Sequence, residues 1–257
     1  MRLAVVGATG TAGRHVQELA RSRGHEVVPI ARSLGIDAAS GRGLAKALAG
    51  VEAVVDVTNR QSQRRGVAER ALTAAARTLQ RVGAEAGVGH HVLVSIVGVD
   101  RPGVGKLPYY RAKRVQEQEA LAGPLPVTVL RTTQWFEFAD TMLQLTGRGP
   151  VVLAPRMPRL QPVAVRAVAA RLVDLAETGP PDHGATAARV ELAGPAELSL
   201  RSLVTAVLTA RRDRRLLVEV PFPAPRQVRR AIAEGGLLPG PSAERDSTTL
   251  DAWLRGQ

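Results

Sequence analysis

Short apolar runs recur along the first half of the chain, and the stretches between them carry apolar residues at helical spacing. Leu3–Val6 is the first run, followed by runs over residues 26–31, 53–57, 91–97 and 127–130. Unbroken apolar runs of this length read as strands buried on both faces, as in a parallel sheet. The intervening stretches predict helices over residues 11–23, 44–48, 66–86 and 108–121. Strand and helix in alternation predict an α/β fold, a Rossmann-type doubly wound parallel sheet. One unit is short: only about twenty residues separate Arg32 from Ala53, and they include Gly35, Gly41 and Gly43. The usual crossover helix and third strand are reduced to a stub around Ile36-Asp37, which leaves the adenine side of any nucleotide site open.

After about Thr133 prolines multiply, at 150, 155, 158 and 162 and again at 221, 223 and 225. Helices are expected over 165–176, 198–210 and 225–233, with short strands over 189–192 and 216–220. This predicts a dinucleotide-binding domain over 1–150. A smaller C-terminal substrate lobe over 151–257 would sit above the carboxyl ends of the strands, with some of its strands free to return to the main sheet.

Composition trims the functional possibilities. The net charge of +12 over 257 residues invites a nucleic-acid reading. However, 32 of the 35 basic residues are scattered arginines, and aromatics are only 3%, too few to stack bases. The densest patch, Arg211-Arg212-Asp213-Arg214-Arg215, reads as a solvated helix end. No cysteine is present, which excludes disulfides, thiol catalysis and thiolate metal sites. The five histidines (15, 25, 90, 91 and 183) lack metal-ligand spacing, and His90-His91 open a strand. No apolar run reaches membrane-spanning length, and no signal peptide is evident. The expectation is a cytoplasmic monomer or homodimer acting on a small molecule, with no nucleic acid, membrane or metal partner.

Chemistry enters at the first turn. Gly7-Ala8-Thr9-Gly10-Thr11-Ala12-Gly13 follows a strand and opens a helix. Gly7 permits the tight turn, Gly10 lets backbone N–H groups approach a pyrophosphate, and Gly13 lets the helix pack closely. An NAD site usually carries an acidic residue at the end of the second strand. Here Arg32 stands there, with Ser33 beside it, and a guanidinium suits a 2′-phosphate. The expected cofactor is therefore NADP(H).

A second constellation is Tyr109 and Lys113, four residues apart on one helical face. The chain holds two tyrosines and only three lysines, at 46, 106 and 113. Pro108 suits the first helical position, placing Tyr109 in the first turn. The helix dipole and Lys113 are expected to lower the phenol's pKa toward the working range.

With Ser95-Ile96-Val97-Gly98-Val99-Asp100 and Leu130-Arg131-Thr132-Thr133-Gln134-Trp135-Phe136-Glu137-Phe138, these motifs follow in order. Together they resemble the atypical short-chain dehydrogenase/reductases of the NmrA-like, NAD(P)H-binding group, over nearly the whole chain. The resemblance implies Tyr109 as catalytic acid/base and Lys113 as its partner and a ligand of the nicotinamide ribose. It also implies Ser95 as an active-site hydroxyl ending the fifth strand and Asp37 as an adenine contact. Thr58-Asn59 would lie beside the cofactor ribose. Thr132 would line the nicotinamide, with Gly98, Gln134, Trp135 and Phe136 on the substrate side. Ala167 departs from the pattern, since an acidic residue commonly stands there.

The leading expectation is an NADPH-dependent oxidoreductase. It would reduce a small hydrophobic carbonyl, enone or quinone, with Tyr109 donating the proton and Ser95 steadying the oxyanion. A non-catalytic NADP(H)-responsive regulator and a sugar-nucleotide epimerase remain alternatives, because the group includes proteins that bind the dinucleotide without turning it over. Trp135, Phe136, Phe138 and Met142 read either as an apolar substrate wall or as core at helical spacing.

Overall fold

The computed structural model describes residues 1–60, 66–181 and 187–256; His183 lies outside them. The elements follow in chain order as β1 Arg2–Val6, α1 Thr11–Ser22, β2 Glu26–Ile30, α2 Leu44–Leu48, β3 Ala53–Asp56, α3 Val67–Glu85 and β4 His90–Ile96. Next come α4 Pro108–Leu121, β5 Val127–Thr132, α5 Phe138–Thr146, β6 Gly147–Arg148, β7 Val151–Pro155, α6 Val165–Thr178 and β8 Ala187–Ala193. The chain continues through α7 Leu200–Ala210, β9 Leu216–Val220, α8 Arg226–Ala233, β10 Glu244–Arg245 and α9 Leu250–Arg255.

Seven strands pair in the order β10-β8-β5-β4-β3-β1-β2, every neighbouring pair parallel. The chain starts in the sheet's interior, steps to β2, then crosses back to β3 on the other side of β1. The strand order therefore reverses between β1 and β3, and ligands of open α/β sheets bind outside the carboxyl ends at such a point. Side chains alternate across the strands. Leu3 and Val5 face the layer that includes α1 and α6, while Ala4 and Val6 face α2 and α3. In α1 the buried residues Ala12, Val16 and Ala20 recur every fourth position, so one stripe meets the sheet.

No strand forms around Ile36-Asp37. Asp37 lies in a loop that follows a single 3-10 turn over Arg32–Leu34, and its Oδ1 accepts the Ala39 N–H at 3.0 Å. With three glycines in so short a span, only the five-residue α2 forms besides that turn between β2 and β3. β2 is therefore a sheet edge, and Ser95 stands on the fourth strand rather than the fifth.

A second sheet, β6-β7-β9, builds the smaller lobe with α5, α7, α8 and α9 around a separate core that includes Phe136, Leu203, Val207 and Trp253. The division at residue 150 does not separate two cores. α6, β8 and β10 come from beyond it, yet β8 and β10 extend the main sheet and α6 packs on α1. Among the described residues no helix is long and apolar enough to cross a membrane.

Candidate functional site

The turn between β1 and α1 is built by exclusion of side chains. Gly7 has φ +87°, and a Cβ there would sit 2.9 Å from the Val57 carbonyl oxygen. A Cβ on Gly13 would come within 2.3 Å of the Gly7 carbonyl oxygen. Side chains pin the loop from the helix: Arg14 donates to the Thr9 carbonyl at 2.9 Å and Gln17 to the Ala8 carbonyl at 2.8 Å. Thr9, Gly10 and Thr11 are exposed, and the first turn of α1 carries no acidic residue. The N–H groups of Thr11 and Ala12 take no partner among the described residues. This is an anion cradle: open N–H groups, positive dipole and a backbone no Cβ obstructs.

Arg32 follows β2, exposed, with no ion-pair partner among the described residues. Ser33 is exposed beside it. Across the switch point, Thr58 and the exposed Asn59 leave the end of β3. The cradle, Arg32 and these residues thus line one edge of the sheet's carboxyl ends, and the donor set fits a dinucleotide.

Helix α4 begins at Pro108 as its sequence predicts, with Tyr109 in the first turn. Tyr109 and Tyr110 pack edge to face, ring centroids 6.5 Å apart. The Tyr109 hydroxyl has no hydrogen-bond partner among the described residues, while Tyr110 accepts a bond from Gln134 at 3.2 Å. The pKa expectation is overturned. Burial pushes the Tyr109 phenol up to about 12, because removing an anion from water costs more here than the helix terminus returns. Lys113 follows four residues along α4, and its ammonium is held by its own set of partners.

That ammonium lies at the head of a buried polar network. Lys113 is 3% exposed, and its Nζ donates to Gln116 Oε1 at 2.6 Å and, at 3.5 Å, to the Thr58 carbonyl. Gln116 spends both amide hydrogens, on Asp56 Oδ2 at 3.2 Å and Thr58 Oγ1 at 2.9 Å. Burial pulls the Lys113 pKa down to about 8, opposed by the charges of Asp56 and Glu117. Beside it, Glu117 grips Arg131 with two hydrogen bonds of 3.0 and 2.7 Å, and Arg131 also reaches Asp100 at 2.9 Å. Gln116, Asp56 and Glu117 were not singled out from the sequence. The signal was there: polar residues at i+3 and i+4 from Lys113 on a helix that must bury that face.

Ser95 is buried at the end of β4, and its Oγ has no partner. A buried hydroxyl without a bond calls for an explanation, and an oxyanion above it would supply one. Thr132 is buried too, but its Oγ1 is occupied by the Trp135 indole N–H at 2.9 Å.

The substrate side departs further from expectation. Gly98 has φ +82°, and a Cβ there would meet the Gly236 carbonyl oxygen at 2.6 Å. Arg101 holds the same segment by donating to the carbonyls of Gly236 and Leu238. Gly98 is therefore roofed by the lobe and presents no face to a ligand. Phe136 is fully buried, stacked at 5.4 Å on Trp253, so it belongs to the lobe core. Met142 is buried with it, and Phe138 is half-buried against the same cluster. Of the predicted wall, Trp135 and Gln134 remain partly exposed, and Gln134 Oε1 has no partner.

Ala167 has its explanation here. Its methyl lies against both cores, and the carboxylate at the start of α6 comes instead from Glu137, which accepts the Val165 N–H at 3.2 Å and the Trp253 indole N–H at 3.0 Å. Burial raises the Glu137 pKa above its ordinary value.

Two surface hollows lie away from this site. One of about 410 Å³ opens between the ends of α3 and α4, the other of about 320 Å³ between α7 and β9. Both are shallow clefts distant from Tyr109, and neither carries the chemistry described above.

No protein-family model matches the chain, nor does any curated protein. Solved structures do. A short-chain dehydrogenase/reductase superfamily protein from Agrobacterium tumefaciens with bound NAD superimposes with a TM-score of 0.69 at 18% identity, covering 100% of this chain and 95% of that one. A dTDP-4-dehydrorhamnose reductase from Clostridium acetobutylicum gives 0.71 at 14%, covering 89% and 88%. A UDP-N-acetylglucosamine 4-epimerase from Bacillus cereus gives 0.66 at 17%, covering 100% and 97%. At these identities the likeness is one of fold: the chain has the Rossmann-type α/β fold of short-chain dehydrogenase/reductase structures.

Proposed function

We propose that this chain is an NADP(H)-dependent oxidoreductase that reduces a small hydrophobic carbonyl, enone or quinone. The observation that carries the reading is the conjunction at the switch point: an unobstructed anion cradle and a free Arg32 on one side, Tyr109 and Lys113 on the other. The cradle would hold the pyrophosphate and Arg32 the 2′-phosphate, while Lys113, Thr58 and Asn59 would face the nicotinamide ribose. Bound NADPH supplies the hydride. With its pKa near 12, Tyr109 stands protonated at neutral pH, the state a proton donor needs. The cationic Lys113 stabilises the negative charge that grows on the phenol oxygen as the proton leaves. Ser95 Oγ, unpartnered, can donate to the same developing oxyanion.

The test is calorimetric. NADPH is expected to bind with a clear preference over NADH. Arg32→Ala removes charge-assisted bonds worth about 1.5–3 kcal/mol, a loss of roughly 10- to 150-fold, and leaves NADH unchanged. Quinone, enone or ketone reduction would then be followed at 340 nm, with Tyr109→Phe as the inactive control. If neither nucleotide binds below millimolar, the reading fails.

One observation favours a second reading. On the substrate side the Gly236 carbonyl covers Gly98 and Gln134 is bonded to Tyr110. A protein that binds NADP(H) and reports on it without turnover needs no substrate opening. It predicts tight NADPH binding that Tyr109→Phe leaves untouched, and no oxidation with any acceptor. The epimerase reading shares Tyr109 and Lys113, and predicts NAD held through purification.

A further inference from the structure

Lys113 is the only lysine among the buried charged residues, and its surroundings pair the charges in an unequal way. The charges of Asp56 on β3 and of Glu117 on its own helix act on it, with His91 on β4 beside Asp56 and Arg131 on β5 beside Glu117. Glu117 is already committed to Arg131 through two short bonds. The free counter-charge is Asp56, fully buried, and it does not touch the ammonium. Gln116 stands between them, its Oε1 on Lys113 Nζ and its Nε2 on Asp56 Oδ2. Asp56 in turn takes the Thr58 N–H at 2.8 Å, and its Oδ2 lies 3.7 Å from His91 Nε2. The other His91 nitrogen faces the Gln80 amide at 2.9 Å, and Gln80 Oε1 accepts the Leu125 N–H, so each group's orientation is set by the next.

We propose that Gln116 and Asp56 are positioning residues for Lys113: the amide holds the ammonium in place and passes the carboxylate's field to it, so that Asp56 sets the charge state of Lys113. The proposal rests on the reading of Tyr109 and Lys113 as the reacting pair. An amide spacer does what a direct ion pair would not. A carboxylate in contact would draw Nζ toward β3 and consume its donors, whereas Gln116 takes one N–H and the Thr58 carbonyl a long second, which leaves the third for a ribose. No proton travels this route, since passing one through Gln116 would leave an imidic acid with no base beside it to restore the amide. The action is electrostatic and geometric. In the buried setting such coupling is strong, because little water screens it.

Because lysine occurs at only three positions, ¹³C,¹⁵N-lysine labelling gives a side-chain spectrum in which Lys113 can be assigned by Lys113→Arg. Its titration in the nucleotide-free protein is the primary readout. The parent is expected to titrate near pH 8. Asp56→Asn removes the charge that favours the ammonium, and Gln116→Met removes the link, so each lowers the midpoint by about one unit. Gln116→Glu brings a carboxylate onto Nζ and raises it. Should Asp56→Asn fail to fold, the opposite shifts of the two Gln116 variants decide alone. A purely structural role predicts lower melting temperatures with the midpoint unmoved in every folded variant, and that result overturns the proposal.

Turnover supplies the second readout. kcat falls as pH rises through the Lys113 midpoint, and Asp56→Asn moves that limb to lower pH with KM for NADPH little changed. The titration needs no substrate. Midpoints that shift in a protein inactive on every acceptor would sink the reductase reading and leave the relay standing; activity with unshifted midpoints would do the reverse.

Discussion

A single methyl group at position 13 is the sharpest probe of the phosphate turn. Its carbon would sit 2.3 Å from the Gly7 carbonyl oxygen and 2.8 Å from Ala8 Cα, both backbone atoms that cannot swing aside. Gly13→Ala must therefore push α1 off the sheet. The cost of overpacking is about 1–3 kcal/mol, and the displaced helix terminus loses its aim at the anion. The expected result is a lower thermal midpoint together with at least tenfold weaker NADPH binding. Unchanged affinity in a folded variant would show that the turn does not cradle the phosphates. Residues of this kind were legible in the sequence because their constraint is local: three glycines at fixed offsets between strand and helix. Tyr109 was legible in position for the same reason. Its pKa was not, because Tyr109 packs against the lobe core, whose members include Phe136 and Leu237 from far along the chain.

At the scale of elements, His90 ties β4 to β5. It is buried, and its Nε2 lies 2.9 Å from Thr128 Oγ1 on the neighbouring strand. Burial, with the adjacent His91, pushes its pKa down to about 4. The unfolded chain binds this proton near pH 6.5, so between 6.5 and 4 the unfolded state holds more protons than the folded one. His90's contribution is thus full above pH 6.5 and is lost as pH falls, by on the order of 3 kcal/mol at pH 4. Denaturant titrations of the parent and His90→Gln should show the difference in unfolding free energy shrinking across that window. A difference independent of pH would mean that His90 is not buried neutral.

The same scale shows where sequence patterns succeed. Strands β1 to β5 and the helix Pro108–Leu121 are written in apolar period and a helix-starting proline, whereas β6, β7 and β10 were not expected. The absence of a strand at Ile36-Asp37 follows from glycine spacing. By contrast, the roof over Gly98 is made by Gly236, and the partner of Phe136 is Trp253, both more than a hundred residues away. No local pattern announces such contacts.

For the whole molecule, the question is whether residues 1–150 stand alone. Of the 21 buried residues in the cluster between the sheet and α1, nine come from beyond residue 150, seven of them on α6. Removing them uncovers one face of β1, β3 and β4 and the apolar stripe of α1, and leaves β5 as a bare edge. Six of the nine are Val or Leu on Val163, Val165, Val168, Leu172, Val173 and Leu175, and a seventh is Leu192. At about 1.5–3 kcal/mol for each large side chain, the lost burial is on the order of 10 kcal/mol, comparable with the entire net stability of a domain. A fragment of residues 1–150 is therefore expected to lack a cooperative transition and to bind hydrophobic dye. The complete chain should melt in one step, with calorimetric and van't Hoff enthalpies equal. Two resolved transitions in the complete chain, or a cooperatively folded fragment that binds NADPH, would show two separable domains. The architecture argues otherwise. Helix α6 is common property: its one face closes the main sheet, its N-terminus is held by Glu137, and Glu137 is anchored to Trp253 in the lobe. Any movement of the lobe relative to the main sheet must then displace α6, which packs on α1 and the sheet.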